Sequence, residues 1–105
     1  RAAAPHLAKI EVEATTLAEV KEAVRAGAEV ILLDNMAPDL VRRAVMLIAG
    51  AALVEVSGGV RLETVRDYAV PGVTVISIGA LTHSAPAADL SLTVRPAKAG
   101  RRPTR

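Results

Sequence analysis

Residues 30–59 read VILLDNMAPDLVRRAVMLIAGAALVEVSGG. Val30-Ile-Leu-Leu33 is a continuous apolar run, the pattern of a parallel strand buried on both faces. Pro38 stands where a first helical turn begins, with φ already set for a helix. Leu40, Val41, Ala44, Val45 and Ile48 then recur at helical spacing, and Gly50 ends the stripe. Ala52-Leu-Val-Glu-Val56 is apolar and β-rich again. Strand, helix and strand within thirty residues make a βαβ unit, which implies parallel strands and a right-handed crossover.

The same alternation extends in both directions. Upstream, Lys9-Ile-Glu-Val-Glu13 alternates apolar and polar residues as a short strand. Thr16-Leu-Ala-Glu19 is a capping box, followed by Leu17, Val20, Ala23 and Val24 on one helical face and a stop at Gly27. Downstream, Leu62, Val65, Tyr68 and Ala69 mark a third helix that closes near Pro71-Gly72. Val73 to Ser77 is a fourth strand, residues 85–89 a short turn or helix, and Leu90 to Val94 a last strand. Strand ends fall at Glu13, Asp34, Ser57 and Gly79, so the unit length is nearly constant. The pattern is compatible with an open doubly wound sheet or with part of a barrel.

Size separates some of these outcomes. The chain has 105 residues, and a closed eight-stranded α/β barrel needs roughly 250. Half of it is hydrophobic (51%), with 21 Ala, 14 Val, one Tyr, and neither Phe nor Trp. The core must therefore be assembled from small aliphatic contacts, without large aromatic burials. Cysteine is absent, which excludes disulfides and thiolate metal sites. The net charge of +2 is the sum of two unlike parts. Residues 95–105 carry five basic residues and no acid, whereas residues 2–94 carry seven basic and eleven acidic ones. The folded part is acidic and the tail is a solvated basic terminus; without interleaved aromatics it does not read as a nucleic-acid site. No apolar run approaches the ~18–20 residues of a membrane span, and no signal-peptide core is found, so a cytoplasmic protein without membrane partners is expected.

In parallel α/β folds, ligands gather at the carboxyl ends of the strands. Here that rim offers carboxylates and glycine turns. Glu11 and Glu13 share one strand face. Asp34 follows a buried-looking strand and reads equally well as a turn or cap residue. Glu55 shares a face with Ser57, where it suits substrate binding, to a cationic or hydroxylated ligand, or else a structural ion pair with a lysine. Ser57-Gly58-Gly59 and Gly79-Ala80 are turns where the backbone can approach an anion closely. Two such turns on successive strands form the split phosphate cup common in barrels. Acids on adjacent strands suit Mg²⁺, which takes one or two carboxylates together with phosphate oxygens. His83 lies beside the rim, where a structural turn histidine is the plainer reading; His6 has no case, and Met36 and Met46 read as packing.

Four stretches together resemble the strand-end motifs of the quinolinate phosphoribosyltransferase family. They are Lys9-Ile-Glu-Val-Glu13, Leu32-Leu-Asp-Asn-Met36, Leu53-Val-Glu-Val-Ser-Gly-Gly59 and Ile78-Gly-Ala-Leu-Thr-His-Ser84. The likeness covers about residues 2–94, and four motifs in order are highly specific where any one is modest. The resemblance implies transfer of a phosphoribosyl group from phosphoribosyl pyrophosphate to quinolinate with loss of CO₂, in NAD synthesis, with Mg²⁺. It implies four consecutive βα units of an incomplete, TIM-like α/β barrel, in a homodimer or hexamer whose sites are completed by a partner subunit. By the same resemblance, Glu13 and Asp34 match the acidic pair near the ribose and the metal-linked pyrophosphate. Ser57, Gly58 and Gly59 with Ile78, Gly79 and Ala80 match the turns that hold the 5′-phosphate. Glu55 matches an acid of the barrel interior.

The departure from the family is an absence of chain. The family's N-terminal domain, whose basic residues grip the quinolinate carboxylates, and two barrel strands have no counterpart. Residues 1–8 are expected to be the end of a helix and a linker, 9–89 the partial barrel, 90–94 a strand returning toward the absent domain, and 95–105 a basic tail. A fragment of a longer enzyme, inactive alone, is the expectation. A related pyridine phosphoribosyltransferase with another base, and a non-catalytic phosphate-binding module, are the alternatives.

Overall fold

The computed structural model describes residue 3, residues 5–83 and residues 90–93. Its elements run β1 (Glu11–Ala14), α1 (Leu17–Arg25), β2 (Val30–Asp34), α2 (Pro38–Ile48), β3 (Leu53–Ser57), α3 (Val65–Tyr68), β4 (Val75–Ile76) and α4 (Ala80–His83). The four strands form one parallel sheet in the order β1-β2-β3-β4. That order resolves the two geometries left open by the sequence. A doubly wound sheet reverses its strand order at a switch point, and none occurs here. The architecture is a sector of a TIM-like barrel, four βα repeats laid side by side.

Register explains which residues become core. Val12, Ile31 and Val54 form one row across the sheet, and Ala14, Leu33, Val56 and Ile76 form the next. Ile31, Leu33 and Val56 are fully buried, and they join Val20 and Ala23 of α1 and Val41, Ala44 and Ile48 of α2 in one cluster. Among the described residues, no side chain larger than Ile, Leu or Met is fully buried. The small-aliphatic core expected from composition is the one that forms. Met36 is sealed into it, but Met46 is 70% exposed, so only one of the two methionines packs. Met46 and Leu47 lie one helical step off the Val41–Ala44–Ile48 stripe, which turns them away from the sheet.

Helix ends follow local chemistry. The Thr16 hydroxyl accepts the Glu19 amide at 3.2 Å, while the Glu19 carboxylate accepts the Thr16 amide at 3.0 Å. Glu19 also accepts the Thr15 amide (2.7 Å) and hydroxyl (2.9 Å). These hydrogen bonds, the Thr15 amide foremost, hold its carboxyl below the usual 4.5. The second helix starts at Pro38 without a side-chain cap and ends through Ala49 and Gly50, both left-handed.

Several boundaries are shorter than the sequence pattern implies. The first strand starts at Glu11 because Ile10 instead accepts the amides of Glu29 (3.0 Å) and Val30 (3.2 Å) through its carbonyl. The third helix starts at Val65, since Arg61 and Thr64 close a turn on each other: the Thr64 hydroxyl accepts the Arg61 amide at 3.1 Å. Leu62 is left 83% exposed. The fourth strand shrinks to Val75–Ile76, although Thr74 and Ser77 still donate to the Val54 and Val56 carbonyls at 2.8 Å. A strand with one neighbour keeps fewer ladder bonds. Residues 90–93 are exposed and form no strand. The turn expected over 85–89, Val94 and the basic tail lie outside the described residues.

Candidate functional site

Every crossover places its helix on one side of the sheet, so the other face carries the remaining alternate residues. Three rows cross it. Glu11, Val30 and Leu53 are the lowest. Glu13, Leu32, Glu55 and Val75 follow. Asp34 and Ser57 pair in the row nearest the carboxyl ends, and Ser77 continues it one residue beyond the Val56–Ile76 pair. The sequence pattern alone makes Glu13 and Asp34 equivalent strand ends. Register corrects this: Glu13 is level with Leu32 and Glu55, one row below Asp34. Diagonal neighbours of this kind lie about 7–8 Å apart.

The two glycine turns do come together. Ser57, Gly58, Gly59, Val60, Arg61, Gly79 and Ala80 line a single open cleft of about 320 Å³ at the carboxyl end of the sheet. Gly58 needs to be glycine for two reasons. Its φ is +81°, and a Cβ there would stand 2.7 Å from the Asn35 nitrogen and 2.8 Å from Asp34 Oδ1. The Asp34 carboxylate therefore rests against the wall of the cleft. Neither the Glu13 nor the Asp34 carboxylate takes part in an ion pair or side-chain hydrogen bond among the described residues. Glu55 is different: it accepts the Ser77 hydroxyl, a neutral partner in place of the cation considered from sequence.

Other expected residues stand apart from the cleft. Ile78 is half-buried at the core margin, and its carbonyl accepts the Leu81 amide at 3.3 Å. Glu13 and Glu55 sit deeper on the sheet face. His83 closes α4, and His6 is exposed in the lead-in turn. Among the described residues no three acidic or histidine side chains form a metal cage. Two residues lining the cleft carry no signal of their own in the sequence, Val60 and Arg61, which follow the glycine pair directly; Ser77, the partner of Glu55, is legible only through the register of β3 against β4.

Comparison with known proteins decides the family. The model of the quinolinate phosphoribosyl transferase C-terminal domain matches residues 1–93. The chain belongs to that family. The chain is 44% identical over 94 residues to the "Probable nicotinate-nucleotide pyrophosphorylase (carboxylating)" of Bacillus subtilis, covering 90% of the chain and 32% of the relative. It is 39% identical over 95 residues to the human nicotinate-nucleotide pyrophosphorylase (carboxylating), covering 88% of the chain and 32% of the relative. Among solved structures, NadC from Streptococcus pyogenes superposes with a TM-score of 0.72 at 39% identity, covering 80% of this chain and 30% of that one. The domain thus spans about a third of the length of the curated relatives it matches. No helix among its described residues is long and apolar enough to cross a membrane.

Proposed function

We propose that this chain is the phosphoribosyl-binding part of a decarboxylating quinolinate phosphoribosyltransferase. The observation that carries the reading is the single cleft in which both glycine turns meet, with Asp34 against its wall. Family membership supports the reaction we assign, in which phosphoribosyl pyrophosphate and quinolinate give nicotinate mononucleotide, pyrophosphate and CO₂. The Ser57–Gly59 turn and the Gly79–Ala80 turn, with Ile78 behind the latter, hold the 5′-phosphate through backbone N–H groups. Asp34 and Glu13, unspent on other partners, take the ribose hydroxyls, and Glu55 stays in the interior as a structural acid oriented by Ser77. As the ribosyl carbon loses pyrophosphate it becomes electron-poor, and carboxylates fixed nearby stabilise that charge.

The donor set fits a substrate-borne Mg²⁺. Two unpaired carboxylates on neighbouring strands are what this ion uses alongside phosphate oxygens and water, and a protein cage is unnecessary. Glu13 and Asp34 would hold it, directly or through water, and it supplies charge neutralisation to the departing pyrophosphate. Recognition of the quinolinate carboxylates needs cations, and the sheet face described above carries none. We assign that half to chain beyond these residues and to a partner subunit in a homodimer or hexamer, with the whole acting in the cytoplasm.

The test is substitution in the full-length enzyme. Glu13→Ala and Asp34→Ala should each lower kcat/KM by more than about tenfold. Losses smaller than that at both positions would remove the catalytic assignment and favour a phosphate-binding module. Release of CO₂ and nicotinate mononucleotide from quinolinate by a purified protein of 10.9 kDa would refute an incomplete site.

A further inference from the structure

We propose that Asn35 is a positioning residue of the phosphate cup, bracing the Ser57–Gly58–Gly59 turn against Asp34. The inference rests on the reading of that cup given above. Asn35 has φ +52°, one of two non-glycine residues with positive φ among the described residues. Asparagine is among the few L-residues that enter this region readily. The left-handed bend comes immediately after Asp34, and three successive cup residues then meet Asn35. Its amide donates to the Ser57 carbonyl at 2.9 Å. Its nitrogen and Cα leave no room for a Cβ on Gly58, at 2.7 and 3.0 Å. Its side-chain Oδ1 lies 3.5 Å from where a Cβ of Gly59 would stand.

The consequence is a fixed geometry between two parts of one ligand. Asp34 ends β2 and its register partner Ser57 ends β3, so the two turns leave adjacent strands side by side. Asn35 ties one turn to the other at the point where a phosphate and its ribose would span them. A residue with this role acts through the backbone, so what matters is the left-handed conformation and the N–H. The amide side chain is secondary.

Two substitutions separate these contributions in the full-length enzyme. Asn35→Ala removes the side chain and strains the left-handed backbone, and should raise KM for phosphoribosyl pyrophosphate about fivefold or more while leaving KM for quinolinate near the parent value and lowering the melting temperature by no more than a few degrees. Asn35→Gly removes the same side chain but accepts the conformation and keeps the N–H, and should return KM to within about threefold of the parent. Parent-like KM in both variants overturns the brace. Equal impairment in both also overturns it, because the side chain would then be the active part. Hydrogen exchange at the Asn35 amide supplies a readout independent of activity, and of Asn35→Ala should that variant not fold. Exchange at least about tenfold slower than at exposed turn amides is expected, and unprotected exchange overturns the bond to Ser57. If Glu13→Ala and Asp34→Ala leave turnover intact while this amide is protected and Gly restores what Ala loses, the catalytic reading fails and the brace stands.

Discussion

Replacing Gly58 by alanine should be among the most damaging single-methyl changes in this domain, and the structure divides the cost into two parts. The first is conformational: at φ +81° an L-residue is disfavoured by about 1–2 kcal/mol. The second is steric. The new Cβ would meet backbone and a carboxylate oxygen, at 2.7 Å from the Asn35 nitrogen and 2.8 Å from Asp34 Oδ1. Neither is the free end of a flexible chain, so relief requires moving the β2–α2 turn, at about 1–3 kcal/mol for an overpacked site. The sum, about 2–5 kcal/mol, is a large fraction of the ~5–15 kcal/mol that holds a domain folded. Gly27→Ala is the matched control: its φ is +76°, but nothing lies within 4 Å of the added methyl. It should show the conformational cost alone. Urea unfolding of both variants in the full-length enzyme, monitored by far-UV circular dichroism, measures the difference. Gly58→Ala should lose about 1–3 kcal/mol more than Gly27→Ala. Equal losses would refute the close approach of the two turns, and the brace at Asn35 with it.

Gly72→Ala should cost about 2–4 kcal/mol, since φ is +100° and the new Cβ would stand 2.5 Å from Val45 Cγ1. Adding Val45→Ala should recover the steric share, and a double-mutant cycle of denaturation midpoints reads the coupling. Thr16→Ala should lower stability by about 1 kcal/mol through loss of the cap, visible as a lower urea midpoint. Glu19 has a carboxyl pKa lowered by folding, so its contribution is present above the unfolded value of 4.5 and is lost as pH falls through the lower folded value; the gap in urea midpoint between parent and Glu19→Ala should narrow as pH drops below about 4.5. Arg61→Ala should raise KM for phosphoribosyl pyrophosphate and flatten its dependence on salt, because among the described residues Arg61 is the one cation lining the cleft; an unchanged salt dependence in steady-state kinetics would refute it.

The βα alternation was readable because apolar periodicity reports burial, and burial here is one-sided and regular. Thr16 and Glu19 announced a helix start, and Pro38 another, through chemistry confined to four or five residues. What could not be read was register. Alternation along β1 places Glu11 and Glu13 on one face, but only the pairing of Glu13 with Leu32 shows that Glu13 lies a row below Asp34. The Ser77–Glu55 hydrogen bond is hidden for the same reason, being made between residues 22 apart. Asn35 carried a fainter signal. It stood inside a motif quoted for its acid, and its left-handed backbone becomes meaningful only when the next strand's turn is beside it.

The composition of the open sheet face argues for a ligand. The interior of a barrel with no ligand at that level is filled by layers of branched aliphatic side chains. Here Val30, Leu32, Leu53 and Val75 supply such residues only in part, and Glu11, Glu13, Asp34 and Glu55 stand among them. Four carboxylates on one face repel one another, and no strand residue on that face carries a compensating positive charge. Glu55 is satisfied by Ser77, which makes it tolerable in place. Glu13 and Asp34 have no such partner, and burying them inside a closed wall without one would be costly. A barrel that closes over this face therefore has to bring hydroxyls or a cation to those two acids. Under the function proposed above, a phosphoribosyl group would bring the hydroxyls and its Mg²⁺ the cation, while its phosphate would reach the cleft that starts at Ser57, level with Asp34.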